Sequence, residues 1–128
     1  MSRREEVTAA LLELLQTELP EVSWNEQLTG AVRGQNLQGT VSCDRISFER
    51  NAKNVRMATA SYSIYMIDAN SLDGVDTLAD KIDSVLCENW HLGGIATNSV
   101  VKSIIFGAAQ GKTNAGMALV EFDVLFTC

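Results

Sequence analysis

The spacing of apolar residues predicts an α+β domain in the order α-β-β-α-β-β, with one mainly antiparallel sheet and two helices packed on one face. Three observations predict it. Two stretches repeat apolar residues at intervals of three and four, as helices with one buried stripe do. Four stretches carry strand-like apolar runs, most of them alternating with a period of two. The four strands come in two pairs, each pair joined by a short polar segment, which is the pattern of hairpins.

The first helix is expected over about residues 3–18. Ser2-Arg3-Arg4-Glu5 reads as a capping box, in which the Ser2 hydroxyl accepts from the Glu5 amide and the Glu5 carboxylate reaches back. Val7, Ala10, Leu11, Leu14 and Leu15 then fall on one face, and Pro20 marks the stop. Residues 20 to 37 are less regular. Ser23-Trp24-Asn25-Glu26 has the form of a second capping box, so a short helical turn is expected there, broken by Gly30 and Gly34.

Val41, Cys43, Ile46 and Phe48 lie in a strand-like run over about 39–49. Its alternation slips around Arg45, which predicts a bulge. Arg50-Asn51-Ala52-Lys53-Asn54 reads as a polar turn. The return strand, about 55–67, sends Ala58, Ala60, Tyr62, Ile64 and Met66 one way and Val55, Met57, Tyr65 and Ile67 the other. After a loop at residues 68 to 71, Asp73 and Asp76 suit a helix start, where carboxylates meet the positive end of the dipole. Val75, Leu78, Ala79, Ile82, Val85 and Leu86 repeat at three and four, giving a second helix over about 73–88 that Gly93-Gly94 prevents from continuing. Two strands close the chain. Ser99 to Ala108 holds Val100, Val101, Ile104, Ile105 and Phe106, and Met117 to Thr127 places Ala118, Val120, Phe122, Val124 and Phe126 on one face. Residues 110 to 116 join them as an exposed tip.

A sheet covered by helices on one side is expected to be mostly polar on the other. Here the other face of the last strand carries Met117, Leu119 and Leu125 beside Glu121 and Asp123. That mixture has two readings, ordinary surface apolar residues or a second face that meets a partner.

The totals bound the class. A chain of 128 residues with 46 % hydrophobic and 20 % charged residues and a single proline fits one ordered domain spanning 1–128. The net charge of −6 argues against gripping nucleic acid, which needs a basic surface. It is compatible with DNA sliding past a repelling wall. Cys43, Cys87 and Cys128 are odd in number and widely spaced, so reduced thiols and no disulfide framework are expected. The opening Met1-Ser2-Arg3-Arg4 leads into an amphipathic segment, so no secretory leader is expected. No apolar run approaches the ~20 residues that cross a bilayer, so no membrane is expected as a partner.

Reactive motifs are thin. Gly107-Ala108-Ala109-Gln110-Gly111-Lys112-Thr113 resembles a phosphate-binding loop, but only three residues separate its glycines where four are needed. Phe106 stands where the first glycine belongs, and a strand follows in place of a helix. Cys87 and the single histidine, His91, are four apart, yet no further metal ligand is near in sequence, so no metal and no cofactor are expected. No serine sits in a nucleophile-elbow pattern, and the paired carboxylates of the second helix read as a solvated face. No enzyme is expected. Trp24 and Trp90 lie outside the regular elements and read either as caps on the core or as interface anchors.

The chain resembles the tail terminator (tail completion) proteins of long-tailed bacteriophages. The resemblance rests on the opening helix ending Leu14-Leu15-Gln16-Thr17-Glu18-Leu19-Pro20, a linker with Trp24, a hairpin, the helix Gly74-Val75-Asp76-Thr77-Leu78-Ala79-Asp80-Lys81-Ile82, and a closing hairpin ending Val120-Glu121-Phe122-Asp123-Val124. It covers nearly the whole chain and includes no diagnostic active-site motif. It implies a non-enzymatic virion protein, assembled in the host cytoplasm, that forms a hexameric ring on the head-proximal end of the tail tube. Its partners would be further copies of itself, the tail tube protein and the head–tail connector proteins, with DNA passing through the ring unbound. Candidate contact residues are Trp24, the first tip with Arg50, Asn51, Lys53 and Asn54, and the second tip with Gln110, Lys112, Thr113 and Asn114. The alternatives are a neck or minor capsid assembly protein and a nucleotide-binding module using the 107–113 loop.

Overall fold

A computed structural model describes residues 2–25, 37–52, 55–68, 74–108 and 116–127. The first helix, α1 (Arg3–Glu18), starts at the expected cap, with the Glu5 amide donating to Ser2 Oγ at 3.2 Å. The Glu5 carboxylate accepts from the Ser2 hydroxyl itself at 3.1 Å, so the box closes side chain to side chain. Val7, Leu11 and Leu15, one helical repeat apart, are fully buried. Beyond the helix Leu19 is also buried, and its amide donates to Leu15 O.

The expected helical turn at 23–26 is instead a short strand, β1 (Ser23–Asn25), for the residues described. It runs parallel to β2 (Leu37–Ala52), with Trp24 opposite Gly39. The indole explains the departure. Trp24 Nε1 donates to Leu19 O at 3.1 Å, and its ring lies where a Cβ on Gly39 would stand, 2.4 Å from Cζ3. A glycine opposite the ring lets the two backbones pair.

The first hairpin joins β2 to β3 (Val55–Asp68), antiparallel, and β2 runs through Arg50, Asn51 and Ala52, residues expected in the turn. Cross-strand pairing of Arg50 with Arg56 and of Ala52 with Val55 carries the ladder that far. The bulge expected near Arg45 lies between Cys43 and Arg45. Ala58, Ala60, Tyr62, Ile64 and Met66 are all buried, as their alternation predicts.

The second helix, α2 (Gly74–Glu88), buries Val75, Leu78, Ala79, Ile82, Val85 and Leu86. A short 3₁₀ turn follows, in which Leu92, Gly93 and Gly94 take φ of 48°, 72° and 96°. Two glycines make that left-handed run accessible, and Leu92 is held in it by burial. The closing hairpin is β4 (Asn98–Ala108) and β5 (Gly116–Thr127), antiparallel.

The sheet order is β1-β2-β3-β5-β4, with only the β1–β2 pair parallel. The inward residues of β3 and β5 form the floor of the core, with Ala118, Val120, Phe122, Val124 and Phe126 buried beside those of β3. Both helices cover this face. The fold is α+β in the predicted order, with β1 as an added strand.

Candidate functional site

The opposite face of the sheet has no helix over it among the described residues, and its register rows define its chemistry. At one end, Thr40, Tyr65, Leu119 and Ile105 lie in line across β2, β3, β5 and β4. The next row is Gln38, Ile67, Met117 and Gly107. Tyr65, Ile67, Met117 and Leu119 are half-buried, Thr40 is buried, and Ile105 is 47 % exposed. Gly107 leaves room for Met117, whose Sδ would sit 3.3 Å from an added Cβ. Large apolar side chains on a sheet face with no helix over it among the described residues fit ordinary surface as well as an interface.

A polar band crosses the middle of the same face. Each outer strand of the two hairpins carries a bulge there, β2 between Cys43 and Arg45 and β4 between Val101 and Ser103. Both bulges fall beside the row in which Tyr62 pairs with Phe122. Their extra residues, Asp44 and Lys102, both reach the outer face. Asp44 accepts from Ser63 Oγ and, at 3.2 Å, from Ser42 Oγ. Lys102 Nζ lies 3.6 Å from Asp123 Oδ2. Asp44, Arg45, Ser61, Lys102, Glu121 and Asp123 line a shallow recess of about 330 Å³ between the bulges. Acid and base alternate within it, so it presents no single-sign field for an ionic ligand.

Burial pushes the Tyr62 hydroxyl from 10.0 up to about 12, against a lowering contribution from its hydrogen bond to Thr8 Oγ1 at 2.7 Å. Burial likewise raises the thiol of neighbouring Cys43. A thiol held in its protonated form is a poor nucleophile, which argues against a reactive role. His91 packs its ring against Trp90, with centroids 5.1 Å apart at 49°. Among the described residues no three His, Cys, Asp or Glu side chains converge as metal ligands.

Of the contact residues expected from sequence, Trp24 is in the core, 7 % exposed. Arg50 and Asn51 are on β2. Lys53, Asn54, Gln110, Lys112, Thr113 and Asn114 lie outside the described residues, as does most of the 107–113 loop, of which Gly107 and Ala108 belong to β4. Sequence reasoning treated the two tryptophans alike. The structure separates them, since Trp90 is 45 % exposed.

No protein-family model matches the chain, and no curated protein matches it. Among solved structures the chain is similar to a chain from the virion of a native gene transfer agent particle. The two share 13 % identity at a TM-score of 0.50, over 94 % of this chain and 86 % of the other. The likeness is one of fold.

No helix is long and apolar enough to cross a membrane among the described residues.

Proposed function

We propose that this protein is a structural, non-catalytic component of a phage-like virion, and within that class a tail terminator. In this reading it forms a ring, a hexamer, on the head-proximal end of a tail tube, ends tube growth and offers the surface to which the head joins. Its neighbours are further copies, the tube protein and the connector proteins. The observation that carries the reading is the uncovered sheet face with its row of Tyr65, Leu119 and Ile105. A fold likeness to a virion chain over nearly the full length supports the same reading. Residues 50 to 54 and 110 to 115, which link the strands of the two hairpins, are proposed as contacts to ring or tube.

The test is virion assembly without the protein. Particles should then carry tails of uncontrolled length and fail to join heads. Tails of normal length that still join heads would exclude the terminator role. Tails of normal length that fail at the neck would point to a head–tail connector component.

A further inference from the structure

We propose that copies of this chain join head to tail through two unlike flanks of the sheet, a basic groove beside β2 and an acidic, tryptophan-bearing ridge beside β4. The inference rests on the assembly reading above and goes further by naming the two surfaces and the residues that would meet.

The groove lies between the start of α1 and the far half of β2. Arg3, Arg4, Arg45 and Arg56 line it around an apolar floor that includes Ile46 and Phe48, in a volume of about 560 Å³. Four of the ten lysines and arginines of a chain with net charge −6 are therefore gathered at one place. Arg3 is paired with Glu6, and Arg56 stacks on the Phe48 ring with its guanidinium 4.1 Å from the centroid. Arg4 and Arg45 make no ion pair among the described residues. The one acid in the lining, Asp44, is occupied by two serine hydroxyls. Phe48 nevertheless remains 52 % exposed. A partly open aromatic ringed by cations fits an apolar side chain carried among carboxylates.

The ridge has that composition. Asp76, Asp80 and Asp83 recur at four and three along the exposed side of α2, and none is in an ion pair among the described residues. Asp83 faces β4, because it lines a cleft with Asn98, Ser99 and Val100. The helix's one basic residue, Lys81, points elsewhere, to Glu21 at 3.4 Å. Trp90 stands in the same cleft wall, exposed but not loose. Ser99 Oγ donates to Trp90 O at 2.7 Å, and Asn89 Nδ2 donates to Val85 O at 2.9 Å, so the backbone on both sides of the indole is pinned. A rigid, exposed tryptophan sharing a cleft with the Asp83 carboxylate is a preorganised anchor.

Geometry makes the contact intermolecular. The sheet order sets β2 and β4 apart with β3 and β5 between them. A chain cannot bring its own Trp90 to its own Phe48. Two different patches on opposite flanks generate a heterologous interface, the kind that closes into rings. The occupant of the groove is thus the Trp90 ridge of a second copy.

Sedimentation velocity over a concentration series tests this with four proteins: the wild type, Arg45→Glu, Asp83→Lys and Trp90→Ala. The wild type should self-associate, and more weakly as salt is raised. Trp90→Ala should weaken association roughly thirtyfold, the effect of losing a hot-spot anchor. Arg45→Glu and Asp83→Lys should each be monomeric where the wild type is assembled, yet an equimolar mixture of the two should associate again, since each mismatched flank then meets its complement. The Trp90 emission should shift to the blue on association. A wild type that assembles while all three variants match it, or a mixture that gains nothing over its components, overturns the interface and leaves the virion reading standing. A wild type that stays monomeric at every concentration overturns the interface, and one that also ignores tail tubes takes the virion reading with it. Melting curves separate loss of contact from loss of fold, since the three substituted side chains are exposed.

Discussion

Asp44 and Lys102 are the extra residues of two β-bulges that flank the Tyr62–Phe122 row from opposite sides, and both place their charge on the outer face. Each of these bulges inserts one residue into the alternation of its strand, and β2 shifts register once more between Arg50 and Ala52. Cys43 faces in, Arg45 out and Ile46 in, and on β4 Val101 faces in, Ser103 out and Ile104 in. Deleting Asp44 or Lys102 therefore leaves every other side chain on its own face. Each deletion variant is expected to fold, with a thermal midpoint lowered by an amount corresponding to about 1 kcal/mol for the lost polar contacts. Deleting Ser61 from unbulged β3 throws half that strand's core residues to the wrong side and is expected to abolish folding. Circular dichroism melts of the three compare them directly. An Asp44 deletion as damaging as the Ser61 deletion would contradict the register described.

The Thr8–Tyr62 hydroxyl pair ties α1 to β3. Thr8→Val removes the partner of a buried hydroxyl and is expected to cost about 1–3 kcal/mol in urea denaturation. The same group sets a pH dependence. The folded state holds the Tyr62 hydroxyl at about 12, above its ordinary 10.0, chiefly through burial. The unfolded chain thus releases that proton first. The contribution is fully present below pH 10 and is lost as pH rises through 12. Tyr62→Phe has no proton to lose and should flatten that part of the alkaline stability profile. An unchanged slope in the variant would show that Tyr62 titrates normally in the fold.

Gly39→Ala puts a methyl 2.4 Å from the Trp24 ring. The indole must shift, and its bond to Leu19 O is lost with it. The expected cost is about 1–3 kcal/mol, as for other overpacked sites. Fluorescence adds a specific readout. Iodide should quench Trp90 and spare Trp24 in the wild type, and the protected fraction should fall in the variant. Full protection of Trp24 in Gly39→Ala would mean that the ring is accommodated elsewhere.

On the uncovered face, Ile105→Asp replaces an exposed apolar side chain with a charge and is expected to change stability by less than about 0.5 kcal/mol. It should abolish binding to tail tubes measured by co-sedimentation. Retained binding would assign that face to solvent.

The regular elements were legible wherever the information was local. The Ser2–Glu5 box set the start of α1, the three-four repeat set α2, and strict alternation set the inward faces of β3 and β5. The slip at Arg45 announced one bulge. The second, at Lys102, was hidden because Val100, Val101, Ile104 and Ile105 are apolar on both faces, so no phase change shows. The segment at Ser23–Asn25 misled because its capping-box pattern is local, whereas its pairing depends on Gly39, distant in sequence, accepting the Trp24 ring. The difference between Trp24 and Trp90 was equally invisible, since one donates its indole N–H to Leu19 O in the core and the other stands exposed with Ser99 bonded to its backbone carbonyl. The candidate surface was half legible. The last strand's second face carried its apolar signal openly, but the alignment of Tyr65, Leu119 and Ile105 into one row needs the register.

The most direct measurement of the assembly role is negative-stain electron microscopy of purified tail tubes incubated with the protein. A ring of added density is expected at one end of each tube, the same end every time, on tubes that no longer lengthen when tube protein is supplied. Bare tube ends and unchecked growth at saturating protein would contradict it.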